Sequence, residues 1–353
     1  MPTQSINLGN TDVITFNNND VQELYLNSTK IWEKPTQTLG NYIKFSSSSS
    51  FTLATNNNSK NWNGTLEYST DETNWYTWSG TSAISSNNNV LYLRGTGNTY
   101  ISQDMSNWNN SKGFGLTGSG IKLEGNIENI LDYQTVALGN NPTIAVRAFF
   151  YLFNGNTALT DISNFSIGTS TSTMNTYCCN RMFGNCTNIT DTCKLPAMTL
   201  AQSCYYGIFG ACTGLTTISL VLPATTMMDS CYTSMFENCS NLVNPPALRA
   251  TTLASNCYSF MFRSASKLAS LPAFPATGNL PNGCYNNIFS WCSLIKVSET
   301  QTGIYVNEYR IPSSGSATSG TNSLNNMFAY TGGTFKSTPT ANTTYYTSNN
   351  IIA

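Results

Sequence analysis

The chain has 353 residues, which is enough for more than one domain with its own core. Hydrophobic residues make up 40% and charged residues only 9%, so the composition argues against a disordered chain and requires a polar surface of Asn, Ser, Thr and Gly. The net charge of −1 argues against a nucleic-acid-binding protein, and no run of about 18 apolar residues could span a bilayer.

The first predicted unit, residues 1–36, is a small β module. Strand composition and a turn signal at Asn27-Ser28 predict strands over Asp12–Phe16, Glu23–Leu26 and Thr29–Trp32. The segments 7–12 and 24–32 resemble a short N-terminal module of phage tail and head-appendage proteins, with the approximate pattern Tyr-Leu-Gly-x-x-x-Ile-Trp. That resemblance implies attachment to other virion proteins, whereas an ordinary β-hairpin would have the same pattern.

Residues 37–135 are predicted to form a β-sandwich. Short apolar or alternating segments separated by Asn-, Ser- and Gly-rich turns predict strands over Tyr42–Phe45, Phe51–Leu53, Thr65–Tyr68, Trp75–Trp78 and Val90–Leu93. The segment 66–75 resembles the Tyr-Ser-x-Asp-Gly-x-x-Trp hairpin of immunoglobulin-like modules. Trp62, Trp75 and Trp78 could stack on sugars, but core packing is the interpretation that we favour.

Residues 136–353 are dominated by a repeated unit. Alignment on Cys-Tyr-x-x-Met-Phe gives copies 26 or 27 residues apart that begin at Cys178, Cys204, Cys231, Cys257 and Cys284. A second cysteine follows each Phe by three residues, except at Ala265, and an aliphatic residue comes three residues later. Degenerate copies beginning at Ala148 and Ser323 flank the array, as expected for the ends of a repeat protein.

The spacing of apolar residues predicts one short helical turn in each copy. Phe, Cys and an aliphatic residue at i, i+3 and i+6 give an apolar edge that only stacking on the next copy can bury. The Pro-Ala-Thr-Thr text that follows predicts an extended edge in a parallel sheet. The predicted repeat core consists of Phe153, Cys178, Phe183, Cys186, Cys204, Phe209, Cys212, Cys231, Phe236, Cys239, Cys257, Phe262, Cys284, Phe289, Cys292 and Phe328.

Over residues 145–335 this pattern resembles the BspA-like leucine-rich repeat family, whose units read roughly aromatic-x-x-Cys-x-x-Leu-x-x-(Ile/Ala)-x-Leu-Pro. The departures are Ala265, the irregular unit after Cys193 and an insertion at 296–322. The resemblance implies a solenoid with a role in adhesion or in protein or glycan recognition. The expected fold class is thus mainly β with short helices: an N-terminal β module, an immunoglobulin-like sandwich and a leucine-rich-repeat solenoid.

The cysteines follow the repeat. Nine of the eleven occupy its two cysteine columns, and Cys179 and Cys193 do not. Because free cysteine is among the most buried residue types, reduced core thiols are the favoured interpretation. Disulfides and thiolate zinc sites are the alternatives, although zinc sites usually have Cys-x₂-Cys spacing. No metal or cofactor is expected.

The sequence offers little catalytic chemistry. It contains no histidine and no phosphate-binding Gly-Lys-Ser/Thr loop. A glycosidase needs two carboxylates, and the pairs Asp71 with Glu72 and Glu124 with Glu128 are candidates, but solvated surface charge is the better interpretation. We therefore expect no enzyme and no catalytic, cofactor-binding or metal-binding residues.

Two C-terminal segments are candidates for other roles. The insertion 296–322 carries Tyr305 and Tyr309 and is a candidate binding loop, although a flexible loop without a partner fits equally well. The segment 342–350 is either a polar tail or a last capping strand.

The combined modules resemble appendage proteins of gut bacteriophages, including the crAss-like group. The resemblance implies a bacteriophage virion structural protein: a homo-oligomeric tail or head fibre or appendage subunit that attaches through its N-terminal module. Its repeats would contribute to adhesion to a host-surface glycan or protein. Met1–Ser5 begins without a basic or apolar stretch, so we expect no secretory signal. The alternative is a bacterial cell-surface adhesin or interaction protein, and a weaker one is a polysaccharide-degrading tailspike.

Overall fold

The computed structural model describes residues 40–102 and 113–348, and the backbone of four strands between residues 14 and 33. The chain divides into two compact units, Met1–Gly40 and Asn41–Ala353. In the first unit, β1 (Ile14–Phe16) pairs antiparallel with β2 (Asn19–Val21), and β3 (Glu23–Leu26) pairs antiparallel with β4 (Thr29–Glu33). The strands predicted around residues 14–32 are therefore present, whereas the motif residues 7–12 lie outside the described residues.

The second unit begins with two sheets. Their strands are β5 (Ile43–Ser46), β6 (Thr52–Thr55), β7 (Thr65–Ser69), β8 (Tyr76–Thr77), β9 (Ile84–Ser85), β10 (Val90–Thr96), β11 (Phe114–Thr117), β12 (Ile121–Asn126), β13 (Leu159–Asp161) and β14 (Phe165–Ser166). One sheet has the order β13-β12-β5-β10-β7-β8, with β14 also on β12, and the other has the order β11-β6-β9. Alternation of apolar residues buries Ile43, Phe45 and Leu53 in one core shared by both sheets.

The sheets continue into the repeats without a break in hydrogen bonding. Strand β12 pairs in parallel with β13 and β14, which belong to the first copy. A short helix, α1 (Asn129–Ala137), is the one helix of the described residues and packs on β10, where a Cβ on Gly95 would lie 1.9 Å from the carbonyl oxygen of Ile130. The protein is thus mainly β, and a domain boundary at residue 135 stays a prediction.

The backbone of each copy is not the predicted helical turn. Every fourth residue has a left-handed conformation, as at Tyr177, Arg181 and Asn185, whose φ angles are 55°, 47° and 60°. Between them, alternate N–H groups close tight turns inside the copy, such as Asn180 N–H to Tyr177 O at 3.2 Å. The remaining N–H groups donate to the next copy, as from Cys179 to the carbonyl oxygen of Cys204 at 2.9 Å. The helical prediction was wrong because it considered apolar spacing alone.

Hydrogen bonds between these turn segments all point the same way. In each copy the N–H groups donate toward the following copy, as from Tyr205 to Cys231 and from Tyr232 to Cys257, both 3.1 Å. One end of the stack therefore presents carbonyl groups and the other presents N–H groups, and each end needs a cap. At the first copy, Phe114 donates its N–H to Leu152 O at 2.6 Å. At the last copy, the Thr338 hydroxyl accepts from Asn326 N–H at 2.9 Å.

The extended segments between turns lie parallel but form no continuous sheet. The parallel contacts are isolated bridges, at Ser166 with Lys194, Thr173 with Thr199, Thr226 with Thr252, and Leu280 with Ser319. The extended segments run in the predicted parallel direction, but isolated bridges form in place of the predicted parallel sheet.

Stacked aromatic side chains fill the interior of the array. The Phe of each copy stacks on the next with ring centroids 5.4–6.1 Å apart. Tyr205, Tyr232, Tyr258 and Tyr285 form a second ladder beside it. Every residue of the predicted repeat core is fully buried.

All cysteines are buried and unpaired. In the second column the thiol also has a specific role, since it donates a hydrogen bond to the Phe carbonyl oxygen of the preceding copy. Cys186 reaches Phe153 O at 3.0 Å, and Cys212 reaches Phe183 O at 3.0 Å. Burial raises the pKa of Cys186 to about 12, so this thiol stays protonated and can donate.

Removing a tyrosine hydroxyl from the ladder is expected to stabilise the protein. The hydroxyls of Tyr205 and Tyr232 are buried and have no hydrogen-bond partner among the described residues, whereas the buried Tyr309 donates its hydroxyl to the carbonyl oxygen of Pro272. Because an unpaired buried polar group costs free energy, Tyr232→Phe should raise the free energy of unfolding by about 1 kcal/mol. Tyr309→Phe, which removes a satisfied hydrogen bond, should lower it by a similar amount. Urea unfolding of both variants measures this, and equal effects of the two changes would contradict it.

Glu128 predicts a pH effect. It is fully buried, accepts a hydrogen bond from the Ser172 hydroxyl at 2.6 Å, and has its pKa raised by burial. Between the ordinary glutamate pKa and this raised one, the folded chain binds more protons than the unfolded chain. The contribution of Glu128 to stability is therefore present at low pH and lost as pH rises through the raised pKa.

Glu128→Gln should accordingly flatten the decline of unfolding free energy with rising pH, measured by urea unfolding between pH 4 and 8. Glu124→Gln, at a partly exposed glutamate that pairs with Lys44, is the matched control. If the unfolding free energy of Glu128→Gln declines as steeply with pH as that of the wild type, the raised pKa of Glu128 is contradicted.

The C-terminal segments form a third sheet. Strands β15 (Val297–Ser298), β16 (Asn307–Ile311) and β17 (Thr343–Thr347) have the order β15-β17-β16, and both pairings are antiparallel. The predicted insertion loop 296–322 thus supplies two strands. Of the two readings of residues 342–350, the strand is the one observed.

Candidate binding groove on the outer face of the repeats

Of the two tyrosines predicted to form a binding loop, Tyr309 is buried and that part of the prediction is wrong. Tyr309 is only 4% exposed, packs edge-on against Phe274 and donates its hydroxyl to the carbonyl oxygen of Pro272. It is a core residue because strand alternation turns it inward between exposed Glu308 and Arg310. Tyr305 is half-buried and is not brought together with a second tyrosine of the loop.

The three tryptophans considered for sugar stacking also differ in their exposure. Trp62 and Trp78 are buried, with ring centroids 5.2 Å apart, which agrees with core packing. Trp75 is partly exposed, and the guanidinium carbon of Arg94 lies 3.9 Å from the centre of its ring.

The carboxylates proposed as pairs are each occupied by local contacts. Hydrogen bonds, the largest from the backbone N–H of Asn74, hold the pKa of Asp71 below its usual range. The hydroxyls of Tyr92 and Tyr42 lower the pKa of Glu72 in turn. Glu124 pairs with Lys44 at 3.7 Å, and Glu128 is buried.

A concave surface does lie on the outside of the array. Two adjoining hollows of about 410 and 250 Å³ share Arg181 and Tyr206. We call them together the outer groove, and its larger side chains are Tyr151, Tyr177, Arg181, Tyr206, Phe260 and Arg263.

The repeat geometry explains why these side chains come together. They occupy the same few outward positions of successive copies, at or beside the left-handed residues, so stacking places them in adjacent rows. Gly207 stands at the row position that Arg181 fills one copy earlier, and its φ is +57°. A Cβ there would lie 3.1 Å from Cγ and 3.6 Å from Nε of Arg181. The missing side chain at Gly207 therefore leaves room for the Arg181 side chain, which packs against this glycine.

The two guanidinium groups of the groove differ in their partners. Arg263 forms an ion pair with Glu237, and its guanidinium carbon lies 4.6 Å from the centre of the Phe260 ring. Arg181 forms no ion pair among the described residues and is partly exposed. The groove thus offers one neutralised and one uncompensated positive charge.

Tyrosine hydroxyls provide neutral donors beside Arg181. Burial raises the pKa of Tyr151, with Tyr206 adding to this effect and Arg181 opposing it. The phenol is therefore protonated at neutral pH. Such a surface can bind a ligand through stacking and hydrogen bonds.

A second exposed aromatic site lies farther along the array. Trp291 and Tyr330 stack with ring centroids 4.1 Å apart while remaining 55% and 63% exposed.

The groove is not evident from the repeat motif, because most of its large side chains fall at the variable positions of Cys-Tyr-x-x-Met-Phe and the others lie just outside the motif. The signal that could have found them is the run of aromatic residues and arginine at those positions, at Tyr151, Arg181, Tyr206 and Phe260.

Comparison of the chain with protein-family models, curated proteins and solved structures finds no match. In the part of the chain that the structure describes, no helix is long and apolar enough to cross a membrane. The same residues contain no group of three or more Cys, Asp or Glu side chains arranged to hold a metal ion.

Proposed function

We propose that this chain is a non-enzymatic binding protein of a bacteriophage virion, a tail or head fibre or appendage subunit that contributes to host-surface adhesion. The observation that carries the binding role is the outer groove, in which Tyr151, Arg181 and Tyr206 face solvent on a stack whose interior is fully packed. Rigid elements that present aromatic and arginine side chains are well suited to recognition. The exposed pair Trp291 and Tyr330 adds contact area.

The proposal also includes the fold type of the repeats and of the two sheets. The stacked copies form a solenoid of the BspA-like leucine-rich type, and the sheets over residues 43–126 form an immunoglobulin-like sandwich. Buried Phe and Cys columns with a regular repeat support the first assignment, and two sheets around one core support the second. The unit Met1–Gly40 attaches to other virion proteins, and the subunit assembles as a homo-oligomer.

Mass spectrometry of purified phage particles, paired with antibody-label electron microscopy, tests the virion assignment. The expected result is the chain at a defined site on particles in many copies. Its presence only on bacterial envelopes would overturn the virion assignment and favour the bacterial adhesin, which the same groove would serve.

A further inference from the structure

We infer that the outer groove binds a carboxylated oligosaccharide, with Arg181 as the anchor for the carboxylate. This inference rests on the proposed function, since it names the class of ligand that the adhesive surface recognises. The hollow around Arg181 measures about 410 Å³, which is within the usual range of ligand sites.

The charge balance selects an anion. Arg181 is partly exposed and forms no ion pair among the described residues, whereas its groove neighbour Arg263 is already paired with Glu237. A guanidinium presents a planar fork of donors that matches a carboxylate with two parallel hydrogen bonds. One uncompensated charge fits one carboxylate and does not fit a polyphosphate chain, which requires several cations.

The rest of the lining selects a sugar. Three partly exposed tyrosines, Tyr151, Tyr177 and Tyr206, line the hollow, and the apolar ring and polar hydroxyl of tyrosine suit the mixed apolar and hydroxylated surface of a sugar. Asn180 and Gln202 add amide donors and acceptors for hydroxyl groups.

Gly207 leaves room for this anchor. Because a Cβ there would lie 3.1 Å from Arg181 Cγ, an added side chain would crowd the arginine and require it to shift by a few tenths of an ångström.

The test uses the full chain on an array of bacterial surface glycans, in which each carboxylated glycan is paired with its methyl-esterified counterpart. We expect binding to carboxylated members that is lost on esterification. Arg181→Gln should weaken it by about tenfold or more, the loss of one charged hydrogen-bond pair. Arg181→Lys keeps the positive charge but lacks the planar set of donors. It should bind more weakly than the wild type and more tightly than Arg181→Gln.

Arg249→Gln is the matched control, because Arg249 is exposed and outside the groove lining. Equal thermal midpoints of the arginine variants would show that folding is unaffected. Binding that is independent of esterification, no binding to any carboxylated member, or unchanged affinity in folded Arg181→Gln would overturn the inference.

Whole-cell binding separates this inference from the proposed function. If the Arg181→Gln variant binds host cells as well as the wild-type chain does, the ligand assignment is overturned and the adhesive role stands. Absence from virions together with absence of cell binding would overturn the adhesive virion role itself.

Discussion

Replacing Phe236 by alanine is expected to lower the free energy of unfolding by about 3–5 kcal/mol. Phe236 is fully buried at the middle of the phenylalanine ladder, with centroids 5.7 Å from Phe209 and 5.8 Å from Phe262. Its removal leaves a cavity between two rings that backbone hydrogen bonds to both adjacent copies hold apart, so the site cannot collapse freely.

Phe260→Ala is the matched control, because this phenylalanine lies partly exposed on the outer face of the adjacent copy. It should cost clearly less than Phe236→Ala, as measured by urea unfolding of both variants. Equal costs would contradict the assignment of the two rings to inside and outside.

Residues 332–338 cover the last copy and form the C-terminal cap, and replacing Gly333 by alanine is expected to cost about 1–3 kcal/mol by overpacking this cap. A Cβ at this buried glycine would lie 2.2 Å from the nitrogen and 2.3 Å from the carbonyl oxygen of Val297. The flanking residues hold the cap in place, through Gly332 N–H to Ile295 O and Phe335 N–H to Val297 O, both 2.8 Å. Backbone atoms cannot move aside as a flexible side chain could.

The cap also covers the end of the stack that presents N–H groups, so its displacement should promote self-association as well as lower the thermal midpoint. Light scattering and thermal unfolding measure the two effects. Gly278→Ala is the control, since a Cβ there would meet no atom within 4 Å and its φ is not left-handed. A Gly333→Ala variant that is as stable as Gly278→Ala and scatters no more light than it does would contradict the role of the cap.

The interior of the array could be predicted from sequence because its residues recur at fixed spacing. Phe183, Phe209 and Phe236 occupy one position of successive copies, and stacking is the only arrangement that buries them all. Strands such as β7 and β10 were predictable from apolar segments between turns.

The backbone of the repeats was not predictable from apolar spacing. Left-handed conformations at Tyr177 and Arg181 are locally unfavourable, and hydrogen bonds to the next copy, distant in sequence, compensate for them. A weak signal did exist, because Asn185, Gly207 and Asn287 occupy left-handed positions of three copies and are residue types that tolerate them.

The groove and the buried state of Tyr309 required the three-dimensional structure for a different reason. Arg181, Tyr206 and Phe260 belong to three copies and share no local motif, so only the stacking brings them to one surface. Tyr309 lies in an insertion, where composition suggested a loop, but pairing with β17 makes the segment a strand with one face inward.

The claim that the repeats bury their cysteine columns, leaving the outer face for binding, has a direct test in thiol titration. All eleven cysteines are buried and unpaired, so the native protein should react negligibly with an aromatic disulfide reagent. In denaturant without reductant, all eleven thiols should then react. Rapid reaction of several thiols in the native state, or fewer than eleven in denaturant, would contradict the stacked, reduced interior on which the binding role depends.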